Sequence, residues 1–369
     1  MPMKNMLQQY FPMIRTKEEL MSEIKKSSVL SREFYSWKQE ARKEFIDFCT
    51  GAKGVKMMYD FISKEILNPE VVPERVDELL SLLLGQEVHV KDVLPNDGTR
   101  IADESALVIM DIVVELQDKS IVNLEVQKIG YKFPGARSAC YSADLLMRQY
   151  KKVRSKRKKK FNYNDIKDVY TIVLFEQSPG AFHEFPDDYL HQFHQCSNTG
   201  LKLNLLQKYL FVPLDIFLDS LQYKDIKIQN RLDAWLAFLG SDDPEIIIDI
   251  IERYPDFKEM YQQVYDICRN IEEVMGMFSK ELLEMDRNTV ELMIDEMQDE
   301  IKQQKEVIEE KDTIIQKNEA ELKEKDEVLQ QKETALQQNK EVIQQKDSEL
   351  QEMQQKIKEL QEQLEQLQK

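Results

Sequence analysis

The clearest pattern along the chain is a two-residue alternation of apolar and polar side chains in two neighbouring segments, 111–117 and 121–127. The even positions of both segments are apolar: Ile112, Val114, Leu116, Val122, Leu124 and Val126. Most odd positions are polar, and the turn-forming residues 118–120 separate the segments. Such alternation is typical of strands with one face in the core. It therefore predicts a β-hairpin over roughly residues 106–127 whose even face is buried.

The pairing of these strands follows from the same alternation, because even residues must face even ones. A three-residue loop is the simplest connection, and it places Asp111 opposite Glu125 on the odd face. Opposed side chains have Cβ atoms ~5 Å apart, so two carboxylates there repel each other unless a positive charge intervenes. A divalent cation fits this pair, and hard oxygen ligands favour Mg²⁺. Gln127 lies on the same face.

The alternative is that the polar face is simply solvated, since Asp and Glu are ordinary surface residues. Val113 and Ile121 lie on that same face and indicate that it is at least partly covered. We therefore keep both interpretations open at this point.

Helical periodicity surrounds the hairpin on both sides. Residues 1–70 have an apolar stripe, and the next helix is expected between Pro73 and Gly85, which are start and stop residues. A helix at about 134–150, strands at 168–177 and 208–218, and helices over 228–300 complete the prediction. This order indicates a mixed α/β core with three to five strands and helices at both ends.

The C-terminal part repeats aliphatic residues every seven positions, nine times in a row: Ile308, Ile315, Leu322, Leu329, Leu336, Ile343, Leu350, Ile357 and Leu364. A sustained heptad predicts a long helix that associates with another helix. In a coiled coil, the position three residues after each of these aliphatics also faces the partner helix. Here it is mostly Lys or Asn until Met353, Leu360 and Leu367. We predict a helix from about 286 to the C-terminus that forms an intermolecular coiled coil; a single solvated helix or a fold-back within one chain is the alternative.

Composition narrows the class of protein. The formal charge of −17 argues against a protein that coats nucleic acid indiscriminately. No run of ~18 apolar residues exists to span a membrane, and four distant cysteines suit free thiols in the cytoplasm. Thirteen Lys or Arg against three acids lie between 128 and 170, however, and most of them lie in 148–160. The segment with the histidines between 183 and 194, near Cys196, is interpreted as a loop that does not bind zinc.

Five segments together resemble the PD-(D/E)XK nuclease superfamily, and more closely its bacterial branch of PD-(D/E)XK nuclease family transposases, or recombination-promoting nucleases. They are "LLSLLLG", "MDIVVEL", "VNLEVQK", "FPGARSACYSADLLMRQY" and "DVYTIVLFEQSP", within about residues 56–220. The resemblance implies a restriction-endonuclease-like α/β core, a mixed sheet flanked by helices. It also implies a Mg²⁺- or Mn²⁺-dependent endonuclease that cleaves DNA in recombination or mobile-element biology.

The resemblance assigns the motif's two acids, the metal ligands, to Asp111 and Glu125. Gln127 stands where the superfamily has Lys, as is common in this branch, and completes the catalytic set. Lys128 is adjacent but falls on the opposite face of an ideal strand. Glu78 and Glu74 are candidates for the acid on the preceding helix. Arg137 follows on the next helix.

Arg137 and the basic run Lys156, Arg157, Lys158, Lys159 and Lys160 are expected to contact DNA phosphates. For the run, a merely flexible basic loop is the alternative. We expect a helical N-terminal segment at 1–55, the nuclease-like core at 56–227, a helical region at 228–285 and the coiled-coil tail at 286–369. A non-catalytic DNA-binding or scaffold protein, acting through its coiled coil, is the competing hypothesis, because a Gln cannot supply the positive charge of the missing Lys.

Overall fold

A computed structural model describes residues 5–95, 112–128, 134–223 and 228–367. The strands are β1 Val90–Val93, β2 Ile112–Leu116, β3 Ile121–Gln127, β4 Val169–Phe175, β5 His191–Phe193 and β6 Gln207–Pro213. The helices before the sheet are α1 Met6–Tyr10, α2 Lys17–Lys26, α3 Ser28–Ser36, α4 Gln39–Thr50, α5 Asp60–Ile66 and α6 Pro73–Leu84. The later helices are α7 Pro134–Arg157, α8 Leu214–Tyr223, α9 Arg231–Gly240, α10 Pro244–Arg253, α11 Phe257–Ile267 and α12 Ile271–Leu367.

The strands form one mixed sheet in the order β1-β2-β3-β4-β6-β5. The first three strands pair antiparallel, β3 pairs parallel with β4, and β4 pairs parallel with β6. Helix α7 makes the crossover between the parallel neighbours β3 and β4, as parallel pairing requires. The predicted α/β class, a mixed sheet flanked by helices with a long C-terminal helix, is confirmed.

The hairpin has the register that the alternation predicts. Ile112 pairs with Leu124 and Val114 with Val122, so even residues face even ones. The backbone N–H of Leu116 donates to the carbonyl of Ser120 and closes a three-residue loop. Asp118 accepts the Ser120 N–H at 2.8 Å, and Lys119 adopts a left-handed φ of 74°. The loop enclosed by this bond is 117–119, so Lys119 is its third residue. A left-handed third residue is usual in loops of this length.

The two faces of the sheet are covered differently. The even residues Ile112, Val114, Val122 and Leu124 belong to the main hydrophobic core, which they share with helices from both ends of the chain. The odd face is covered by α7, through Tyr141 and Leu145, and by the short turn 180–184. Both faces of the hairpin are therefore buried, and the solvated alternative for its odd face is wrong for the described part of β2 and β3.

Several element boundaries differ from the sequence-based prediction. Within the described residues, the sheet has six strands rather than three to five, because the short edge strands β1 and β5 carry no clear alternation. Strand β5 lies in the segment predicted to be a loop with histidines. Strand β6 ends at Pro213, and the apolar residues that follow it form α8. Helix α7 continues past 150 to Arg157, because its last turns consist largely of Lys and Arg, which favour helix and stabilise its C-terminal end.

The N-terminal helices and the helices after residue 228 share the main core with the sheet. Phe11 of the segment after α1 contacts Tyr265 of α11, and Phe45 of α4 contacts Phe278 of α12. The described residues form two compact units, Met1–Ile294 and Asp295–Lys369. No helix among the described residues is long and apolar enough to cross a membrane.

Helix α12 begins at Ile271, several turns before the predicted start at 286. Asn270 explains the earlier start, because its side chain accepts the N–H of Glu273 at 3.3 Å, as a helix cap does. The first part of α12 is buried through Val274 and Phe278. Within the tail unit, the heptad residues that the structure describes are about half exposed, as for Leu329 at 56% and Ile357 at 56%.

A buried ion pair connects the end of β3 with α12. Lys128 directly follows β3, and its ammonium hydrogen-bonds the carboxylate of Glu281. The two side chains are only 10% and 1% exposed. The other Glu281 oxygen accepts the N–H of Asp60 at the start of α5, at 3.0 Å. Lys128 thus has its charge partner on α12, which lies on the even side of the sheet with the main core.

Candidate active site

The last residues of β3 carry the predicted site on the covered odd face. Glu125 and Gln127 are each 5% exposed, although both side chains are polar. They reach this face because the strand alternates and its even residues are held in the main core. In β4, the register partners of Glu125 and Gln127 are Val173 and Phe175, which are apolar. Two buried polar groups beside an apolar strand need specific partners.

Arg137 supplies one such partner. Its Nε lies 3.5 Å from Oε1 of Glu125, and the guanidinium is 5.1 Å from the ring centre of Tyr141, one turn further along α7. The side chain of Arg137 is 35% exposed, whereas that of Glu125 is 7% exposed. The first turns of α7 therefore place a partly exposed cation directly above the buried carboxylate.

Asp111, the other predicted acid, lies outside the described residues. The four described pairs of the hairpin nevertheless have the register on which its prediction depended. Of the acids on the odd face of β2, the structure describes Glu115. Its carboxylate accepts hydrogen bonds from Lys91 at 2.8 Å and from Lys152 of α7 at 2.6 Å. Burial raises the pKa of Glu115, but the two ammonium groups outweigh burial and leave that pKa lowered.

A second polar pair lies next to Glu125 on the same face and was not predicted. Asn123 of β3 and Thr171 of β4 are register partners, and both are fully buried. Within the described part of the chain, neither side chain has a hydrogen-bond partner, and the same holds for Nε2 of Gln127. Buried polar atoms of this kind usually bind ordered water or a ligand. Asn123 was visible as a polar odd residue, but its burial depends on α7.

Glu78, the candidate third acid, has other partners. Arg231 of α9 binds both of its carboxylate oxygens, at 2.6 and 3.0 Å, and also pairs with Asp256. Helix α6 contributes Leu79, Leu80 and Leu83 to the main core on the even side of the sheet. Glu78 therefore belongs to an ion-pair network between helices on the even side, and the structure does not bring it together with Glu125.

The predicted basic run lies at the far end of α7. Lys156 and Arg157 occupy its last turn, and Lys158–Lys160 form a 3₁₀ turn directly after it. All five side chains are exposed. Arg157 pairs with Asp165 at 3.2 Å. This local contact holds the segment, which is a helix end and a 3₁₀ turn and not a loose loop.

The donor set at the end of β3 consists of hard oxygens. A buried carboxylate and a buried amide lie two residues apart on one face, and the amide nitrogen has no hydrogen-bond acceptor within the described parts of the chain. Among the described residues, no three His, Cys, Asp or Glu side chains cluster. The described oxygens suit a hard cation rather than zinc, which prefers nitrogen and sulfur ligands.

Comparison with protein families identifies the chain by a match over residues 57–291, more than half of its length, to the model of PD-(D/E)XK nuclease family transposases. No curated protein matches the chain significantly, and no solved structure does either. The matched range includes the hairpin, α7, β4 and β6, and extends into α12. The chain therefore belongs to the PD-(D/E)XK nuclease family transposases.

Proposed function

We propose that the protein is a metal-dependent endonuclease that hydrolyses phosphodiester bonds in DNA, with a role in recombination or mobile elements. The observation that carries this proposal is the carboxylate of Glu125, which is buried at the end of β3 beneath the partly exposed guanidinium of Arg137. A buried acid next to an accessible cation is a suitable place for a scissile phosphate. Family membership makes phosphodiester hydrolysis the natural chemistry of this site.

Asp111 and Glu125 would hold the metal ion, Mg²⁺ or Mn²⁺. A bound divalent ion supplies Lewis acidity and lowers the pKa of a coordinated water. Glu125 fits this role because it is an oxygen donor that cannot be satisfied by bulk water. The assignment of Asp111 rests on the hairpin register and on the resemblance of its motif.

Gln127 and Arg137 would act on the reacting groups directly. The amide nitrogen of Gln127 has no partner among the residues that the structure describes, so it can donate a hydrogen bond to a phosphate oxygen, and the carbonyl oxygen of the same amide can accept one from the attacking water. Arg137 would neutralise charge that develops on the phosphate, since a guanidinium pairs well with phosphate oxygens. In the protein without substrate, the same guanidinium balances the charge of Glu125.

Incubation of supercoiled plasmid with the full-length protein tests this function. We expect nicking or linearisation with Mg²⁺ or Mn²⁺ and none with EDTA. A protein that binds the plasmid but leaves it intact under all metal conditions would contradict the endonuclease and favour a non-catalytic role.

Removal of the basic run should weaken DNA binding through electrostatics. We expect the triple substitution of Lys158, Lys159 and Lys160 by Gln to lower affinity for all sequences alike. The slope of log affinity against log salt should become shallower by about 0.9 for each phosphate that the variant no longer neutralises. Fluorescence anisotropy at several salt concentrations measures both quantities.

The matched control removes the same charge from α2, through Lys17, Lys25 and Lys26, which are also exposed. An equal decrease of affinity in both triple variants would mean that only net charge matters and that the 3₁₀ turn does not bind DNA.

A scaffold role through the tail is the second candidate, and the half-exposed heptad residues of α12 favour self-association. We expect the full-length protein to sediment as a dimer or larger oligomer. Replacement of Leu350 and Ile357 by Asp should shift it towards the monomer, because charged residues on the seam are desolvated on association. Ser348→Asp with Gln355→Asp, away from the seam, should leave the oligomer intact. A wild-type monomer at micromolar concentration in sedimentation would contradict the coiled coil.

A further inference from the structure

An aromatic cluster with one exposed ring lies within the most basic part of the chain. Tyr150 belongs to α7, while Phe161 and Tyr163 follow the 3₁₀ turn Lys158–Lys160. The rings of Tyr150 and Tyr163 are stacked, with centroids 6.4 Å apart and planes 15° apart. Phe161 contacts both rings edge-on, at 5.6 and 5.1 Å. Tyr163 is 72% exposed, so its ring forms the outer face of the cluster.

Local contacts hold the cluster in place. The guanidinium of Arg154 lies 5.5 Å from the ring centre of Tyr150 and donates a hydrogen bond to its hydroxyl. Asn162 accepts the N–H of Asn164 at 3.0 Å, and Asp165 accepts the N–H of Asn162 at 3.1 Å. These bonds fix the backbone on both sides of Tyr163. The outer ring is therefore positioned before any ligand binds, which lowers the entropic cost of binding.

The charge around the cluster is predominantly positive. Residues 148–160 contain nine Lys or Arg and no acid. Among the described residues, no carboxylate is within ion-pair distance of Lys151, Lys156, Lys158, Lys159 or Lys160. A ring that is largely exposed contributes little to the hydrophobic core. Fixed aromatic rings among cations without carboxylate partners are the combination that binds single-stranded nucleic acids, through base stacking and phosphate contacts.

We propose that Tyr163, supported by Tyr150 and Phe161, is a stacking platform for an unpaired base, and that the surrounding lysines bind the phosphates of that strand. The inference rests on the proposed function and deepens it, because it specifies a substrate with unpaired bases. In an intact duplex the faces of internal bases are stacked on one another and are not available to a protein ring.

The position of the platform on α7 relates it to the candidate active site. Arg137, which contacts Glu125, and Tyr150 are on the same helix, thirteen positions apart. At a rise of 1.5 Å per residue, the separation along the helix is about 20 Å. The platform would therefore hold an unpaired segment several nucleotides away from the bond that is cleaved.

Binding measurements in EDTA test the proposal without any cleavage. The full-length protein is titrated against a labelled 20-nucleotide DNA strand, the RNA strand of the same sequence, and the matching DNA duplex. We expect Tyr163→Ala to weaken binding to the DNA strand about fivefold or more, since stacking of one base is worth about that much. Tyr163→Phe keeps the ring and should bind like the wild type. Duplex affinity should change less than about twofold, because internal bases of a duplex cannot stack on the ring.

Tyr35→Ala is the matched control. Tyr35 is 54% exposed, contacts Phe34 edge-on at 5.3 Å and lies 5.7 Å from the guanidinium of Arg42, but it is far from the basic run in sequence. This variant should bind all three nucleic acids normally. Weakening on the RNA strand as well as the DNA strand would extend the platform to either sugar, and weakening on the DNA strand alone would restrict it to DNA; both outcomes support stacking.

Equal weakening on strand and duplex in Tyr163→Ala, or no weakening on either strand, would overturn the platform while leaving DNA cleavage untouched. A wild-type protein that binds none of the three nucleic acids would overturn the platform and the proposed function together. Thermal denaturation of each variant shows whether a loss of binding follows from a loss of folding.

Discussion

Replacement of Glu125 by Gln is expected to abolish DNA cleavage while preserving DNA binding. The substitution keeps the shape of the buried side chain but removes the negative charge that would hold the metal ion. Loss of metal-assisted catalysis is worth several kcal/mol, so we expect cleavage to fall by about a thousandfold or more. Asp111→Asn should have an effect of the same size. Initial rates of plasmid nicking with saturating Mg²⁺ measure both.

Binding supplies the first control. Removal of a buried carboxylate next to Arg137 also removes repulsion of phosphate, so the affinity of the Glu125→Gln variant for DNA should be unchanged or higher. Gln127→Lys supplies the second control, because it restores the cation of the wider superfamily and should retain cleavage. If Glu125→Gln cleaves as fast as the wild type, the site at the end of β3 is not catalytic and the scaffold hypothesis gains.

Removal of the ammonium of Lys128 is expected to have the largest effect on stability. In Lys128→Met, the carboxylate of Glu281, which is 1% exposed, no longer has this charge partner. Breaking a buried ion pair from one side costs about 3–5 kcal/mol, because the remaining charge is desolvated without compensation. We expect urea denaturation to show a fall in the free energy of unfolding of that size, with an unchanged m-value.

The double variant Lys128→Met with Glu281→Gln separates desolvation from packing. Neutralising both residues removes the uncompensated charge, and the amide of Gln can still accept the N–H of Asp60 that Glu281 accepts now. The double variant should therefore be more stable than Lys128→Met alone, which is a strong coupling between the two sites. Additive effects in the double variant would show that the pair does not interact in solution.

The same pair bears on function, because Lys128 directly follows Gln127 on β3. Glu281 of α12 binds Lys128 and so holds the chain directly after Gln127 of the candidate active site. Destabilisation of this contact should therefore reduce cleavage by displacing Gln127, without any effect on the phosphate contacts of the basic run.

Local sequence patterns determined the hairpin, its register and the face that enters the main core. Alternation of period two has one solution when one face must be buried, and the pairing of Ile112 with Leu124 follows from it. The alternation also placed Glu125 and Gln127 on one face, and the family resemblance carried their assignment as candidate site residues. The heptad likewise predicted α12, although its start at Ile271 depends on the cap at Asn270.

Contacts between distant parts of the chain were decided only by the tertiary structure. The sequence indicated a polar odd face, but its burial depends on how α7 lies over the sheet. The partner of Lys128 is 153 residues away, and Glu78 is held by Arg231 at the same separation. The stacking of Tyr150 on Tyr163 requires the turn after α7 to reverse the chain. Periodicity reports which side of an element is apolar, whereas the partner on that side is selected by packing among all elements at once.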